Sequence, residues 1–343
     1  MTRALLVVPT LNEAPHVARV VEGLLASVPK HVEARLVVAD GGSTDGTRHC
    51  VERVAERHPE VTLLDNPRRI QSAGINLAAR RFGHQADVLI RCDAHAAYPP
   101  DYCARLLDTL ERVHADAVVV PLDSVGATPI QRVVAWVSNS RIGTGGSAHR
   151  AGHSSGFVDH GHHAAFRMDV FRRSGGYDET FTHNEDAELD CRQRALGARI
   201  YLDGEIRVAY HPRARLGALF QQYFRYGAGR SRTIRRHPRS ARLRQLAVPA
   251  HVVFSLLAVL VAPWWALPLA WPALYLVGLA AASASCARQL RIGAGWLAGP
   301  IAALMHTAWA FGFLSCLVAR RERGWQRELT QPLVPAGAMG EGT

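Results

Sequence analysis

Lysine is all but missing from this chain: of 40 lysines and arginines, only Lys30 is a lysine. The positive excess, a net +11 against 29 aspartates and glutamates, is carried by arginine. Arginine's fixed charge and planar fork suit phosphate groups especially well. Paired cysteines are missing too. Cys50, Cys92, Cys103, Cys191, Cys286 and Cys316 show no CxxC spacing, which argues against a metal finger and fits free thiols in a reducing compartment. The absence of GxxxxGK[ST] excludes a P-loop, and the absence of GxGxxG argues against a dinucleotide site. No long apolar run opens the chain. Ala4–Val8 is five residues and Pro9 closes it, so no secretory leader is expected.

Two stretches lack charge altogether. Leu246 to Ala287 is 42 residues without Asp, Glu, Lys or Arg, and Ile292–Ala319 is another 28. A spanning helix needs about 20 apolar residues, so the first run holds two, turning at Pro263-Trp264-Trp265. The second run, broken at Gly299-Pro300, is one helix or a hairpin. Arginines flank both runs: eight between Arg225 and Arg244, then Arg288 and Arg291, then Arg320, Arg321 and Arg323. The positive-inside rule puts all three groups on the cytoplasmic face of the plasma (inner) membrane, which demands an even number of crossings. The basic residues cluster beside apolar spans, so the expected partner is a membrane and not nucleic acid.

Residues 1–210 alternate strand and helix signals. Strands are expected at Leu5–Val8, Leu36–Ala39, Val61–Leu64, Val88–Arg91 and Ala117–Val120, and helices at Glu13–Ser27, Thr47–Arg57, Ser72–Phe82 and Asp101–Val113. That alternation implies an α/β fold with a mainly parallel sheet flanked by helices. The expected division is 1–225 for this domain, 226–245 for a basic juxtamembrane segment, 246–320 for membrane helices and 321–343 for a cytoplasmic tail.

Polar residues gather where strands end. Val7-Val8-Pro9-Thr10-Leu11-Asn12-Glu13 closes the first strand, and Val37-Val38-Ala39-Asp40-Gly41-Gly42 closes the second. Arg91-Cys92-Asp93-Ala94-His95 follows a later strand, and Asn184-Glu185-Asp186 opens a helix. In open α/β sheets ligands bind at the carboxyl ends of strands. Glu13, Asp40, Asp93 and Asp186 on one rim would repel one another unless something cationic sat among them, and a divalent ion on phosphate oxygens is the natural candidate.

The order VVPTLNE, ADGGSTDGT, RCDAH and NEDAELDCR resembles the family 2 inverting glycosyltransferases of the GT-A fold. The resemblance extends to the membrane enzymes of exopolysaccharide and succinoglycan synthesis through RCDAHAAYP, GGSAHR, GGYDETF and QQYFRYGAGR. It implies a nucleotide-sugar pocket lined by Pro9, Thr10, Leu11 and Glu13, with Asp40 on the base, which would be uracil. It also implies Mg²⁺ or Mn²⁺ on Asp93 and Asp186 as the catalytic base, its pKa raised by neighbouring Glu185. Gln222, Arg225 and Tyr226, with Glu185, would lie on the acceptor and diphosphate side. The donor would be a UDP-sugar and the acceptor a lipid-linked, polyprenyl-diphosphate saccharide. Asp45 is expected to cap a helix. Arg69, Gly74 and Asn76 match a donor-side pattern that capping explains nearly as well.

The chain departs from the family where the D-x-D pair ends in His95, which would ligate the metal with Asp93, contact the diphosphate or do neither; neutral imidazole binds Mn²⁺ but suits softer metals better than Mg²⁺. Tyr226 stands where processive members have Trp. The histidines at 149, 153, 160, 162 and 163 lack zinc-site spacing and fit an acceptor-side loop, with Asp159 placed to contact acceptor sugar. Two other readings remain open: transfer to polyprenyl monophosphate, and a non-catalytic scaffold that binds nucleotide sugar.

Overall fold

The computed structural model describes residues 1–145, 154–213 and 215–318. They fall into two compact units. One lies within 1–122 and 153–210, the other within 123–152 and 211–323. The expected tail, His149 and His153 lie outside the described residues.

The first unit is built on an eight-stranded sheet, and a separate two-stranded sheet pairs Leu122–Ser124 with Val208–Tyr210. The strands of the larger sheet are β1 (Arg3–Thr10), β2 (Glu33–Asp40), β3 (Val61–Asp65), β4 (Val88–Arg91), β5 (Ala117–Val120), β6 (Gly156–Phe157), β7 (His162–Arg167) and β8 (Ile200–Leu202). The spatial order is β3-β2-β1-β4-β7-β5-β8-β6. β3, β2, β1 and β4 run parallel, with Thr10 level with Asp40 and Val7 level with Arg91. β5 and β8 are parallel to each other. β7 enters antiparallel between β4 and β5, and β6 pairs antiparallel with β8. The expected strands are all present. The loop expected around the histidines, however, gives way among the described residues to the strands Gly156–Phe157 and His162–Arg167.

The sequence pattern explains the layers. Side chains alternate along a strand, so Leu6, Val8, Leu36, Val38 and Ile90 enter one core while Leu5, Val7, Val37 and Leu89 enter the other. The first core is closed by α1 (Val17–Ala26), α2 (Thr47–Ala55) and α4 (Tyr102–Arg112). The second is closed by α3 (Gln71–Phe82), a short helix Met168–Arg173 and a further helix at Glu185–Ala195. Each buried Val or Leu contributes about 1.5–3 kcal/mol. α1 begins four residues later than expected. The Glu13 amide donates to Thr47 Oγ1 (2.7 Å), and Asn12 is left-handed at φ 58°, so the chain turns before the helix starts.

The second unit is helical. It contains α5 (Pro129–Asn139), and, after α6 (Glu185–Ala195) of the first unit, α7 (Leu216–Arg236), α8 (Leu243–Val261), α9 (Ala270–Leu290) and α10 (Ala298–Val318). α5 starts in a capping box: the Thr128 side chain accepts from the Gln131 amide, and Gln131 returns the bond. The boundary expected at residue 225 falls inside α7, which runs without interruption from Leu216 to Arg236. Three helical stretches among the described residues are long and apolar enough to cross a membrane: Leu243–Val261, Leu267–Leu290 and Gly293–Leu317.

Candidate active site

The parallel strands β1, β2 and β4 end on one rim, and antiparallel β7 begins on it. Topology alone therefore brings Thr10, Asp40, Asp93 and His162 to the same edge of the sheet. The N-terminus of α6 adds Glu185 and Asp186.

Asp40 has a fully buried side chain. Its carboxylate accepts from Gly42 N (3.1 Å), Ser43 N (3.1 Å), Ser43 Oγ (2.5 Å) and Arg48 Nη1 (3.1 Å), with Thr10 Oγ1 at 3.5 Å. Burial alone would raise its pKa, but these donors outweigh it and hold the group below the usual carboxylate range. Asp40 thus braces the glycine turn, and a base contact would require one of these donors to yield. Asp45 was expected to cap α2, but the N-cap is Gly46, without a side-chain cap; Asp45 stands one residue before it, accepting from Thr47 N (3.0 Å) and from Ala14 N (3.1 Å). Pro9 pairs with Ala39 in the sheet, and Leu11 is 48 % exposed on the rim. Asn76 is a structural clamp: its amide donates to Tyr177 O (2.8 Å) and Glu179 Oε1 (2.9 Å) and accepts from Tyr177 N.

Asp93 and His95 occupy the loop after β4. Asp93 Oδ1 accepts from Gln71 Nε2 (2.9 Å), and the side chain is 23 % exposed. His95 is 47 % exposed, and its Nδ1 meets Glu13 Oε1 at 2.8 Å. Glu13 therefore orients the imidazole, as second-layer carboxylates commonly do for metal-bound histidine. Asp93 and His95 thus stand two residues apart in one loop, a carboxylate and a half-exposed imidazole, donors of types that Mn²⁺ accepts. Among the described residues no set of three or more His, Cys, Asp or Glu forms a cage. A divalent ion here would complete its coordination from a diphosphate and water.

Arg91 was not singled out in the sequence. It ends β4, is 5 % exposed, and donates through Nη1 to both oxygens of Asp186, at 2.8 and 2.9 Å. Its Nη2 lies 3.5 Å from Asp93 Oδ1. The cation expected among the acidic residues is thus partly supplied by the chain itself.

His160, His162 and His163 were expected on an acceptor-side loop; instead His162 and His163 open β7, and all three lie beside carboxylates. His163 is fully buried: Nε2 meets Asp190 Oδ1 (2.7 Å), and Nδ1 meets Tyr177 Oη (2.7 Å) and Asp186 Oδ1 (3.2 Å). His160 Nδ1 lies 2.7 Å from Asp190 Oδ2. His162 sits 3.6 Å from Asp93 and 3.7 Å from Asp186. Burial disfavours charge on His163, but Asp190 and Asp186 overcome it and lift its pKa to about 9. Burial and then Arg91 press His162 down to about 4. Asp186 is the reverse of what its neighbour alone suggested. Burial would raise it, yet Arg91 and His163 hold it well below the carboxylate range. Burial and the adjacent Asp186 instead raise Glu185, to about 7. Asp159, expected on the acceptor side, pairs with Arg194 at 2.8 Å. Gln222, Arg225 and Tyr226 lie on α7 in the second unit, where Gln222 Nε2 donates to Tyr226 Oη at 3.1 Å.

A mostly parallel sheet flanked by helices, with an Asp-x-His loop at one strand end and an acidic helix start beside it, defines a GT-A glycosyltransferase. The chain belongs to glycosyl transferase family 2, whose domain matches residues 5–175. It is 44 % identical over 330 residues to the succinoglycan biosynthesis protein ExoA of Rhizobium meliloti (strain 1021), covering 94 % of this chain and 97 % of that one. Among solved structures it is similar in fold to the mannosyltransferase PcManGT from Pyrobaculum calidifontis, solved with GDP-Man and Mn²⁺. The TM-score is 0.57 at 21 % identity, over 93 % of this chain and 88 % of that one.

Proposed function

We propose that this glycosyltransferase moves a hexose, with inversion, from a UDP-sugar to a lipid-linked saccharide at the cytoplasmic face of the plasma membrane, in exopolysaccharide or cell-surface glycan synthesis. The observation that carries the reading is the placement of Asp93 and Asp186 on either side of Arg91. A donor-side carboxylate and a proton acceptor are thereby set at a fixed spacing on one rim.

The residues divide the work. Pro9, Thr10, Leu11 and the Asp40 turn bind the nucleoside. Asp93 and His95, the latter oriented by Glu13, would hold a divalent ion, which would supply charge neutralisation for the departing diphosphate. Asp186 takes the proton of the acceptor hydroxyl as its oxygen bonds to the anomeric carbon. The bond from that carbon to the diphosphate breaks on the opposite face, so no enzyme-bound sugar forms. Arg91 and His163 keep Asp186 ionised and aimed. Gln222, Arg225 and Tyr226 serve the acceptor and diphosphate. The relative named for succinoglycan biosynthesis supports a polysaccharide setting, and the fold relative solved with GDP-Man and Mn²⁺ supports a nucleotide-sugar donor and a divalent ion.

The test is release of nucleoside diphosphate by detergent-purified protein with Mn²⁺. The assay offers a panel of UDP- and GDP-sugars, with and without bacterial lipid extract, and with polyprenyl monophosphate as a separate acceptor arm. Lipid-dependent UDP release from one sugar, lost in Asp186→Asn, supports the reading. Transfer to polyprenyl monophosphate alone replaces the acceptor. Binding without turnover on any acceptor rejects the proposed reaction.

A further inference from the structure

Helix α6 carries a second acid one turn beyond Asp186. Asp190 is completely buried, and residues four apart share a helix face, so the two carboxylates stand on the same side of α6. We propose that Asp190 is a positioning residue for the transfer: through His163 it holds Asp186 ionised and aimed, without itself reaching either substrate. The inference rests on the reading of Asp186 as the base given above.

His163 is the link. Its Nε2 lies 2.7 Å from Asp190 Oδ1, and its Nδ1 lies 3.2 Å from Asp186 Oδ1 and 2.7 Å from Tyr177 Oη. A neutral imidazole has one N–H, so it donates to one carboxylate and turns a lone pair toward the other. An imidazolium donates to both, and a cation this deeply buried needs both partners. Burial disfavours the charge, and Asp190, ahead of Asp186, overcomes it and keeps the proton on the ring up to about 9. The other oxygen of Asp190 meets His160 Nδ1 at 2.7 Å, so the carboxylate cannot rotate away from His163 without breaking that contact. The ring is also held from its sides. It packs edge-on to Phe166, with centroids 4.8 Å apart, and Asn76 clamps the Tyr177 backbone through both N and O.

The other ionisable groups around this cluster do not replace the imidazolium. Arg91, from β4, binds Asp186 but also reaches toward Asp93 in the next loop, at 3.5 Å. His162, from β7, stands farther off, 3.6 Å from Asp93 and 3.7 Å from Asp186. Glu185, on α6 itself, is acidic and opposes ionisation of its neighbour. With Asp190 neutralised, His163 would have one carboxylate, shared with Arg91, to sustain its charge. A ring that lost its proton there would present a lone pair to Asp186 or to Asp190, and the carboxylate of the base would lose both a donor and a positive charge. Its pKa would rise, and the fraction ionised at a given acidic pH would fall.

The experiment measures UDP release across a pH series for the full-length wild type, Asp190→Asn, His163→Gln and the double variant, with Mn²⁺, bacterial lipid extract and the UDP-sugar that the panel identifies. Asp190→Asn keeps the shape and removes the charge. Its kcat should fall by about 10–100-fold with donor KM within about twofold of wild type, and the acid limb of kcat should move to higher pH. Adding Asp190→Asn to His163→Gln should lower kcat no further, because the carboxylate acts through the ring. A lower Tm with kcat and the acid limb unchanged would make Asp190 purely structural and overturn the inference, as would additive losses in the double variant. Should Asp190→Asn fail to fold, the wild type carries the test. Spectra of ¹⁵N-histidine protein, with the His163 signals assigned by their loss in His163→Gln, should show both ring nitrogens protonated at neutral pH, and one bare nitrogen would overturn the inference. Asp186→Asn runs alongside. Full activity there, or no turnover in the wild type, removes the reading of the base and this inference with it. Loss of activity there beside an unchanged Asp190→Asn rejects this inference alone.

Discussion

Both carboxylate oxygens of Asp186 accept from a single nitrogen of Arg91, at 2.8 and 2.9 Å. That one contact joins the end of β4 to the start of α6, and the other guanidinium nitrogen reaches toward Asp93. A carboxylate held this way is a weak base before the reaction begins. In the proposed reaction it would become a useful one only as negative charge develops on the attacking oxygen and competes for the arginine's field.

Asp186→Asn is therefore expected to lower kcat by about 10²–10⁴-fold. Binding of the UDP-sugar, measured by calorimetry, should stay close to wild type. Glu185→Gln is the control. Glu185 titrates near 7, so an equal fall in Glu185→Gln with an active Asp186→Asn would move the base to Glu185.

Arg91→Met should strip the counter-ion from two partly buried carboxylates. Breaking a buried pair by removing one partner costs about 3–5 kcal/mol. Thermal unfolding of the purified protein should show a clear drop in Tm. Arg91→Lys, which keeps charge but not the fork, should fall between the two.

His163 gives stability a pH dependence. Its folded pKa, about 9, lies above the ordinary 6.5, so its contribution is complete below pH 6.5 and is lost as pH rises through 9. The shift corresponds to at most about 3 kcal/mol. Tm should decline over that window in the wild type, and His163→Gln should be less stable at neutral pH with the decline flattened. An identical slope in both proteins would refute the assignment.

Chelation should abolish turnover, and Mn²⁺ should restore it better than Mg²⁺. His95→Ala is expected to weaken the activating Mn²⁺ concentration by about 10–100-fold. Glu13→Gln should do so by less, because Glu13 acts only through the imidazole. Metal titrations of UDP release distinguish the two.

Gly227→Val tests the contact between α7 and α10. The new Cβ would lie 1.9 Å from the backbone oxygen of Trp309, which no side-chain rotation relieves. A loss of about 1–3 kcal/mol or more is expected, seen as a lower Tm or aggregation in detergent. Gly278→Val, at a position with open space, should be tolerated.

The parallel part of the sheet was legible because its strands are short β-branched runs ending in turn residues. Leu36–Ala39 before Asp40 is the clearest case. β7 was not legible. His162-His163-Ala164-Ala165-Phe166-Arg167 carries too few apolar residues to stand out, and only its neighbours β4 and β5 make it a strand. The acidic rim could be read from motif order. Its internal cation could not, although an arginine closing the otherwise apolar Val88–Arg91 was a usable signal, since a buried guanidinium needs carboxylates. Helix α10 shows the limit from the other side: Ala302 and Met305 are buried while Phe311 and Leu317 are about half-exposed, a division that its uniformly apolar composition does not reveal.

The antiparallel entry of β7 also has a cost in time. β4 leaves the ribosome about seventy residues before the strand that covers its free edge. At usual synthesis rates that edge waits for roughly 4 to 14 s. During that interval the nascent chain presents Val88–Arg91 as an open strand edge, with an arginine whose carboxylate at Asp186 has not yet been made. Newly made chains of this enzyme should accordingly depend on chaperone capture until residues beyond 190 emerge, and slowing synthesis between 92 and 162 should lower the yield of folded protein.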